Sequence, residues 1–469
     1  MTSDIHRLSI REMGARLRDG SLSASAILDH YLQRIEQLNP ALNAIIHVDA
    51  EGARKAAAQA DTRFAAKAPI GLLDGIPVAI KDNMLVAGMP CVWGTRLFAG
   101  YVADRDELPV RLLRDAGAVI VGKTNVPEFT LRGFTGNPVF GVTGNPWDPE
   151  LTPGGSSGGS VSAVAAGLVP YSLGTDGGGS IRRPAGYTGI VGLKTTISRI
   201  PRADGLPPLL ADCEVVGPLA RSVDDTRIVM SVIARPHSDD QHSLGFPTIA
   251  EEAGPVRPLR ILFVERFGDA PVDAEIAAMC REAAQSLEAF GHSVSFGPLP
   301  LDLSAISANW QVLANAGLAK LAAEMPDYFG LVTPPFADQA RAGEKLTVTD
   351  YLAFLDTIAA FRVEAAQLFR DFDIVITPAS AANPWPKATQ FPPIIDGRDA
   401  GPRGHAVFTN WVNACGHPGL SVPAGWNAAG LPVGMQIVGA FGADDLLLDL
   451  ATQYEAAAPW ADRWPAMAG

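Results

Sequence analysis

The sequence predicts an α/β fold in a single large domain that spans residues 1–469. Segments with helical spacing of apolar residues alternate with short apolar runs along the whole chain, which is typical of α/β proteins. Hydrophobic residues make up 47% of the chain and charged residues 19%, while 47 glycines and 37 prolines favour tight turns. The composition indicates a large buried core, although the length alone would allow about three domains.

An N-terminal helical region is predicted over residues 9–67. Apolar residues recur at helical spacing from Ile27 to Leu38, after Ser23 as the predicted N-cap. Asn39 and Pro40 are expected to end this helix, because proline cannot continue the backbone hydrogen bonding. An alanine-rich helix follows over about 50–66.

A short apolar strand, Ile76–Ile80, ends on Lys81 and is followed by Asp82 and Asn83. An unpaired ammonium group at the end of a buried strand is costly. Two interpretations are open. Lys81 forms an ordinary ion pair with Asp82, or burial lowers its pKa so that it acts as a base.

Residues 117–124 match the phosphate-binding loop pattern G-x-x-x-x-G-K-[ST]. That loop needs a strand before its first glycine and a helix after its lysine. Here the predicted strand, 118–121, lies inside the motif, and Pro127 follows where the helix should begin. We therefore do not expect a nucleotide site.

The stretch from Thr152 to Ser180 contains two glycine-flanked serines, Ser156 in TPGGSSGGS and Ser180 in GTDGGGS. Glycine next to each serine lets a backbone or a ligand come close to the serine oxygen. A helix is predicted over about 160–167 and a strand over about 169–173, so both serines lie in loops at element ends, where sites usually lie. The apolar residues between them argue against a flexible linker.

The second half continues the alternation of helices and strands. A helix over 224–234 precedes a βαβ unit made of strand 259–264, helix 273–290 and strand 292–296. Two helices, 303–325 and 349–372, lead to strand 373–377, and strand 433–438 with a helix from Asp444 closes the chain. Residues 383–404 show no periodicity and are either a substrate-facing loop or a surface excursion.

Composition excludes several function classes. A net charge of -13 argues against a nucleic-acid surface. The four cysteines are far apart without CxxC spacing, which indicates a reduced compartment and no zinc cage. The start, MTSDIHRLSI, has no apolar signal core, and the long uncharged run 151–175 is too rich in Gly, Ser and Pro for a membrane. We expect a cytoplasmic protein without nucleic-acid or membrane partners.

One chemical alternative is a histidine-dependent serine hydrolase. Residues 154–158 read G-x-S-x-G, the nucleophile elbow of α/β-hydrolases, with Ser156 as nucleophile and His405 or His417 as base. The elbow requires a strand that leads into the serine, but Pro149 and Pro153 occupy that place. The eight histidines also lack HxxxH or HxxEH spacing, so a zinc hydrolase is not expected.

The other route uses a lysine base. A buried Lys81 with a lowered pKa would take a proton from one serine, which relays it from the other. The DGGGS loop supplies successive backbone N-H groups beside Ser180, as an oxyanion hole requires.

These segments resemble the amidase signature family. The likeness runs through GIPVAIKDN, AVIVGKTNVPEF, NPWDPELTPGGSSGGS, GTDGGGSIRRPAGYTGIVGLK and LPVGMQIVG, and it is densest over residues 72–194. It implies a mixed, mostly parallel twisted sheet covered by helices, with a variable, substrate-facing region at about 300–404. It also implies hydrolysis of a small-molecule amide through an acyl-enzyme, with no metal or other cofactor, in a protein that many relatives suggest is a homodimer.

The resemblance also assigns roles to residues. Lys81, Ser156 after a cis peptide bond, and the nucleophile Ser180 match the family triad. Oxyanion donors match the backbone of Gly177, Gly178, Gly179 and Ser180, and supporting positions match Ser157, Asp176 and Arg182. Gly177 stands where many relatives have Thr or Ile.

One branch of this family is the glutaminase component of glutamyl-tRNA(Gln) amidotransferase. In that branch an Asp that binds the glutamine α-amino group lies three residues before a Thr. Aligned through Thr409 in HAVFTNWVNACGHPG, that position is Ala406, which cannot pair with an ammonium group. We therefore predict a stand-alone amide hydrolase, with the amidotransferase component as the alternative. The sequence leaves the identity of the amide open.

Overall fold

The computed structural model describes residues 4–469, in which a mixed sheet forms the centre of the protein. The strands are β1 Ile45–Val48, β2 Pro77–Lys81, β3 Val119–Thr124, β4 Gly136–Asn137, β5 Gly141–Val142, β6 Tyr171–Asp176, β7 Val191–Lys194, β8 Val215–Ala220, β9 Arg260–Phe263, β10 Ser293–Phe296, β11 Ile374–Pro378, β12 Ile394–Ile395, β13 Arg398–Asp399, β14 Gly419–Trp426 and β15 Pro432–Gly439.

Eleven of these strands form the main sheet, in the order β1-β3-β2-β6-β8-β7-β14-β15-β11-β9-β10. The pairs β2/β3, β2/β6, β9/β11 and β9/β10 are parallel. The other six neighbouring pairs are antiparallel. The α/β class and the mixed sheet are as predicted, but antiparallel pairs outnumber the parallel pairs that were expected to dominate.

Helices cover the sheet. They are α1 Ile10–Asp19, α2 Ala24–Leu42, α3 Ala50–Ala65, α4 Leu108–Asp115, α5 Gly158–Ala165, α6 Arg182–Thr188, α7 Val223–Ile233, α8 Ala274–Ser286, α9 Ser304–Asn309, α10 Gln311–Glu324, α11 Tyr328–Leu331, α12 Pro334–Glu344, α13 Val348–Asp371, α14 Asn410–Cys415 and α15 Asp444–Ala457. Short 3-10 turns lie at Ile5–Arg7, Arg96–Phe98, Glu128–Thr130, Ala211–Cys213, Gln241–Gly245, Leu287–Phe290, Gly404–Ala406 and Ala466–Ala468.

Two predicted helix boundaries were wrong for local reasons. Helix α2 contains Pro40 but ends only after the buried Leu42. The proline lies in the last turn of the helix, so few backbone hydrogen bonds are affected by it. Asn43, in the left-handed conformation, then ends it, and its N-H donates to Asn39 O at 2.7 Å. The single helix predicted over 303–325 is divided at Trp310 into α9 and α10.

The parallel strands β2 and β6 place the functional loops. Lys81 is the last residue of β2, and Asp176 is the last residue of the neighbouring β6. Because parallel strands end at the same edge of a sheet, the loops that follow them meet there. Helix α5, which begins at Gly158, brings the Ser156 loop to the same edge.

The four cysteines are free and buried, at Cys91, Cys213, Cys280 and Cys415. They therefore contribute to the core as small apolar side chains. Within residues 4–469, no helix combines the length and the apolar character required to cross a bilayer.

Candidate active site

Lys81 is fully buried at the end of β2, with no exposed side-chain surface. Its Nζ lies 2.9 Å from Ser156 Oγ and 2.9 Å from Thr175 Oγ1, and it donates to Thr175 O at 3.0 Å. Burial lowers the pKa of Lys81 to about 7, although the Glu214 and Asp176 carboxylates act to raise it. A large share of the amine is therefore neutral near pH 7.

The hydrogen bonds of Lys81 suit the neutral amine. A neutral amine has two N-H donors and one lone pair. The two donors can satisfy Thr175 O and Thr175 Oγ1, and the lone pair is then free to accept the Ser156 hydroxyl proton. Asn83 Nδ2 also donates to Thr175 Oγ1 at 3.0 Å, which holds that hydroxyl in place.

Asp82 does not pair with Lys81, so the ion-pair interpretation was wrong. Asp82 Oδ1 lies 3.2 Å from Lys123 Nζ, and both side chains are buried. Asp82 Oδ2 accepts the N-H groups of Val92 and Trp93. Lys123 is the lysine of the phosphate-loop pattern, and it lies inside β3 with its Nζ bonded to Met84 O at 2.8 Å.

The Ser156 loop and the Ser180 loop are bonded to each other. The Gly155–Ser156 peptide bond is cis, as the family resemblance implied. Ser157 N-H donates to Ser180 O at 3.2 Å, and Ser157 Oγ donates to Thr175 O at 3.2 Å. Ser157 thus connects the residue after Ser156 both to Ser180 and to the strand that carries Thr175.

Asp176 organises the loop that carries Ser180. Its carboxylate accepts the Gly179 N-H at 2.6 Å and the Ile181 N-H at 3.0 Å. Arg182 binds it through Nε at 3.0 Å and Nη2 at 2.8 Å. Burial acts to raise the pKa of Asp176, but the Arg182 charge and these hydrogen bonds hold it well below its ordinary value.

One of the four loop N-H groups expected to serve as oxyanion donors is engaged within the protein. The Gly179 N-H is already used by the Asp176 carboxylate. The N-H groups of Gly177, Gly178 and Ser180 have no acceptor within the described range 4–469. Only these three remain available to a bound oxygen.

Arg182 connects the Ser180 loop to residues in the C-terminal part of the chain. It is fully buried and donates to Thr409 O, Asn413 Oδ1 and Gln436 Oε1. Asn413 in turn donates to Asp176 O at 2.9 Å. Our sequence reasoning missed Thr175, Asn413 and Gln436, although all three lie in segments that carry the family resemblance.

Ser180 opens onto a cavity of about 670 Å³, a volume suited to a small-molecule ligand. Gly177 and Gly178 lie beside it in the wall, with Trp310 opposite Gly178. Residues 390, 391 and 400–403 also line the cavity. This agrees with the first of the two interpretations for 383–404, a loop that faces the substrate.

The histidine-dependent alternative is not supported by the geometry. No strand leads into Ser156, since residues 152–157 are irregular. His417 Nδ1 contacts Gly439 O at 3.0 Å, and its ring stacks on Phe369. Both ring nitrogens of His405 lack a partner within residues 4–469, so neither histidine is bonded to Ser156.

Comparison with known proteins identifies the family. The Amidase family model matches residues 26–448. The chain belongs to the amidase family. This amidase is 35% identical over 462 residues to the indoleacetamide hydrolase of Bradyrhizobium diazoefficiens, covering 95% of this chain and 85% of the relative. It is 33% identical over 490 residues to a glutamyl-tRNA(Gln) amidotransferase subunit of a Picosynechococcus species, covering 97% of this chain and 99% of the relative.

The amidase also matches a solved structure over its full length. A bacterial aryl acylamidase of the amidase signature family superposes with a TM-score of 0.92 at 28% identity, covering 100% of this chain and 99% of the other. The resemblance inferred from the motifs and the α/β fold are both confirmed. The protein is an amidase, a hydrolase that acts on linear amide C-N bonds.

Proposed function

We propose that this amidase hydrolyses a carboxylic amide through an acyl-enzyme on Ser180, with Lys81 as base and Ser156 as proton relay. The observation that carries the proposal is the contact of 2.9 Å between Lys81 Nζ and Ser156 Oγ, at a lysine that forms no ion pair with a carboxylate among residues 4–469. A base must be within hydrogen-bond reach of the proton that it accepts and must be neutral near the working pH. Lys81 meets both conditions.

In the acylation step, Ser180 Oγ forms a bond to the amide carbon while its proton passes to Ser156 Oγ. The Ser156 proton passes at the same time to the Lys81 amine, which becomes an ammonium group. The C=O electron pair moves to the carbonyl oxygen and returns when the C-N bond breaks. The leaving nitrogen takes a proton back through Ser156, and an ester on Ser180 remains.

Water then reverses the sequence. Its oxygen bonds to the ester carbon, and its proton passes through Ser156 to Lys81. The bond between that carbon and Ser180 Oγ breaks, and Ser180 recovers a proton from the same relay. The products are a carboxylic acid and ammonia or an amine.

The free N-H groups of Gly177, Gly178 and Ser180 serve the oxygen that becomes negative in both steps. A backbone donor fixed in advance is worth about 3 to 4 kcal/mol to such a transition state. Asp176 keeps these donors oriented because it binds Gly179 and Ile181 on either side of Ser180. Its role is support, as is that of Arg182.

A fluorophosphonate probe tests the nucleophile. We expect labelling that peptide mass spectrometry maps to Ser180, and loss of both labelling and hydrolysis in Ser180→Ala, by about 10⁴-fold or more. Ser162→Ala is the matched control, because Ser162 is a buried serine that donates to Gly144 O away from the cavity. Labelling at Ser156, or normal turnover by Ser180→Ala, contradicts the proposal.

We further propose that the enzyme acts without partner subunits on a small-molecule amide. Support comes from Ala406, which lines the cavity and offers no charge to a glutamine α-amino group. The one carboxylate in the cavity lining within residues 4–469, Glu214, already accepts from Asn83 at 3.3 Å and from Arg202 at 3.5 Å. Efficient glutamine hydrolysis, or co-purification with two tRNA-amidotransferase subunits, would instead make the chain the glutaminase component of such an amidotransferase.

A further inference from the structure

The rim of the cavity carries two guanidinium groups, those of Arg132 and Arg403. Arg403 makes no side-chain hydrogen bond and no ion pair within the described residues 4–469. It is open to solvent, but protein atoms surround it closely enough that burial and the Arg132 charge lower its pKa. Two cations that influence each other electrostatically thus line the same cavity.

Arg132 also forms no ion pair with a carboxylate in the described part of the chain, residues 4–469. Its guanidinium lies over the Phe336 ring, 4.3 Å from the centroid, and its hydrogen bond to Leu131 O is long, at 3.5 Å. Glu128 is the acidic group that acts on it electrostatically. The Glu128 carboxylate, however, already accepts the hydroxyl groups of Thr95 and Thr333.

The other charged groups of the cavity do not neutralise this pair. Glu214 is bound to Asn83 and Arg202, as described above. Arg183 adds a third positive charge, although it is occupied with Gly178 O, Thr409 Oγ1 and Gly155 O. The cavity rim is therefore cationic in a protein whose net charge is -13.

The same cavity lining contains a buried histidine, His405, whose charged neighbours are Arg183 and Arg403. His405 is 3% exposed, and both of its ring nitrogens lack a partner within residues 4–469. Burial and the charges of Arg183 and Arg403 lower its pKa well below the ordinary value, so the ring is neutral with one N-H donor. A buried polar group is normally satisfied, and here a bound ligand would satisfy it.

We propose that Arg132 and Arg403 bind a carboxylate of the substrate, so that the preferred amides carry a carboxylate at the end remote from the scissile bond. This inference rests on the proposed function, because it places the scissile amide at Ser180. Leu131, Leu210, Ala314 and Phe391 line the same cavity, and they suit an apolar segment that joins the amide to the carboxylate. Arginine suits this role because its planar group matches a carboxylate in two hydrogen bonds.

Two pairs of compounds test the inference. In the first pair the carboxylate is on the acyl part of the amide, and in the second it is on the amine part. Succinic acid mono-4-nitroanilide is compared with butyric acid 4-nitroanilide, and 4-acetamidobenzoate is compared with acetanilide. We expect kcat/KM to favour the carboxylate in at least one pair by about 10-fold or more, mainly through KM. This preference should fall as NaCl is raised, because salt screens exposed charges.

Arg403→Gln and Arg132→Gln should each bring that ratio close to one while activity on the neutral compound stays within about threefold. Lys387→Gln is the matched control, because it removes a cation from the same 383–404 loop. Lys387 pairs with Glu150 at 3.1 Å and is not part of the cavity wall. Thermal melting of each variant checks that it is folded.

Equilibrium binding of the same four compounds to the Ser180→Ala protein removes the dependence on turnover. Absence of a carboxylate preference in both assays overturns the inference, as does a preference that survives in the Arg132→Gln, Arg403→Gln double variant. Failure of the proposed function looks different. In that case Ser180 is not labelled or Ser180→Ala still turns over, whatever the charge of the compound.

Discussion

Lys123 Nζ lies 3.2 Å from Asp82 Oδ1, inside the protein and one strand away from Lys81. This ion pair gives Asp82 its cation, so Lys81 keeps no carboxylate partner. Lys123 is held further by the carbonyl oxygens of Met84 and Pro90. We therefore propose different roles for two buried lysines at the same end of neighbouring strands, stability for Lys123 and catalysis for Lys81.

Methionine substitutions should separate these two roles. Lys123→Met leaves the Asp82 carboxylate buried without its cation, so we expect a loss of about 3 to 5 kcal/mol in the free energy of unfolding. Lys81→Met removes the base, so we expect kcat to fall by roughly 10² to 10⁴-fold with a much smaller loss of stability. Urea unfolding and steady-state kinetics on both variants check this. If Lys81→Met instead lost mainly stability and Lys123→Met lost mainly kcat, Lys81 would have the structural role of an ion-pair lysine.

The pH profile should report the protonation of Lys81. Burial lowers the pKa of Lys81 to about 7, and only the neutral amine can accept the Ser156 proton. We therefore expect kcat/KM to fall as pH drops through an apparent pKa near 7, a value that belongs to the lysine and serines together. The measurement is kcat/KM for one amide between about pH 5 and 9. A value of kcat/KM that stays constant or increases as the pH is lowered would count against the mechanism.

Lys194 is the control for that profile. It is another buried lysine, and burial lowers its pKa to about 8. Its Nζ donates to the carbonyl oxygens of Thr195 and His417 at 2.8 Å each, so it is not bonded to either serine. Lys194→Gln should keep the acidic limb where it is, even if the variant is less stable.

The two neighbouring glycines Gly178 and Gly179 should respond differently to alanine. A Cβ on Gly178 would meet only the Trp310 indole nitrogen, at 3.7 Å, so Gly178→Ala should keep activity within about tenfold. Gly179 has a φ of 109°, and a Cβ there would overlap Thr409 Oγ1 and Arg183 Nη1. We expect Gly179→Ala to displace the loop and lower kcat by about 10²-fold or more. Similar kinetics for both variants would show that the loop adapts freely.

Removing the charge of Asp176 should weaken the whole loop. Asn in place of Asp keeps the size but leaves the buried Arg182 without its anion, and its N-H₂ group replaces the acceptor of one of the two N-H donors, Gly179 or Ile181. We expect Asp176→Asn to lose about 3 to 5 kcal/mol of stability together with most activity. As a control, Glu51→Gln breaks the exposed pair with Lys55 and should leave the free energy of unfolding nearly unchanged. Equal effects in the two variants would contradict this role for Asp176.

The sequence was informative where a local pattern carried the signal. A glycine immediately before both Ser156 and Ser180, and a lysine at a strand end, marked these three residues as candidates before any contact was known, and the family resemblance assigned their roles. Strongly periodic segments such as α3 and α13 were also placed within a residue or two. Strands β8 and β14 were not predicted, because Pro218 and Pro423 lie inside them and proline weakens the strand pattern.

Contacts between side chains that are far apart in the sequence could not be predicted from local patterns. The cation of Asp82 is 41 residues away, on a strand that pairs with β2 only after folding. Arg182 contacts Asn413 and Gln436, at separations of 231 and 254 residues. The use of the Gly179 N-H by Asp176 depends on the conformation of the turn, which four consecutive small residues do not specify.

The four buried thiols make local unfolding of the protein measurable by chemical modification. Burial raises the pKa of Cys91 and Cys213 to about 12 and that of Cys415 to about 11, and it raises the pKa of Cys280 as well. Because only the thiolate reacts quickly, a maleimide reagent should modify these residues at a rate set by exposure events. Cys91, Cys280 and the pair Cys213 and Cys415 lie in three different clusters of buried apolar residues, so their modification rates would report how often each cluster opens without any introduced label.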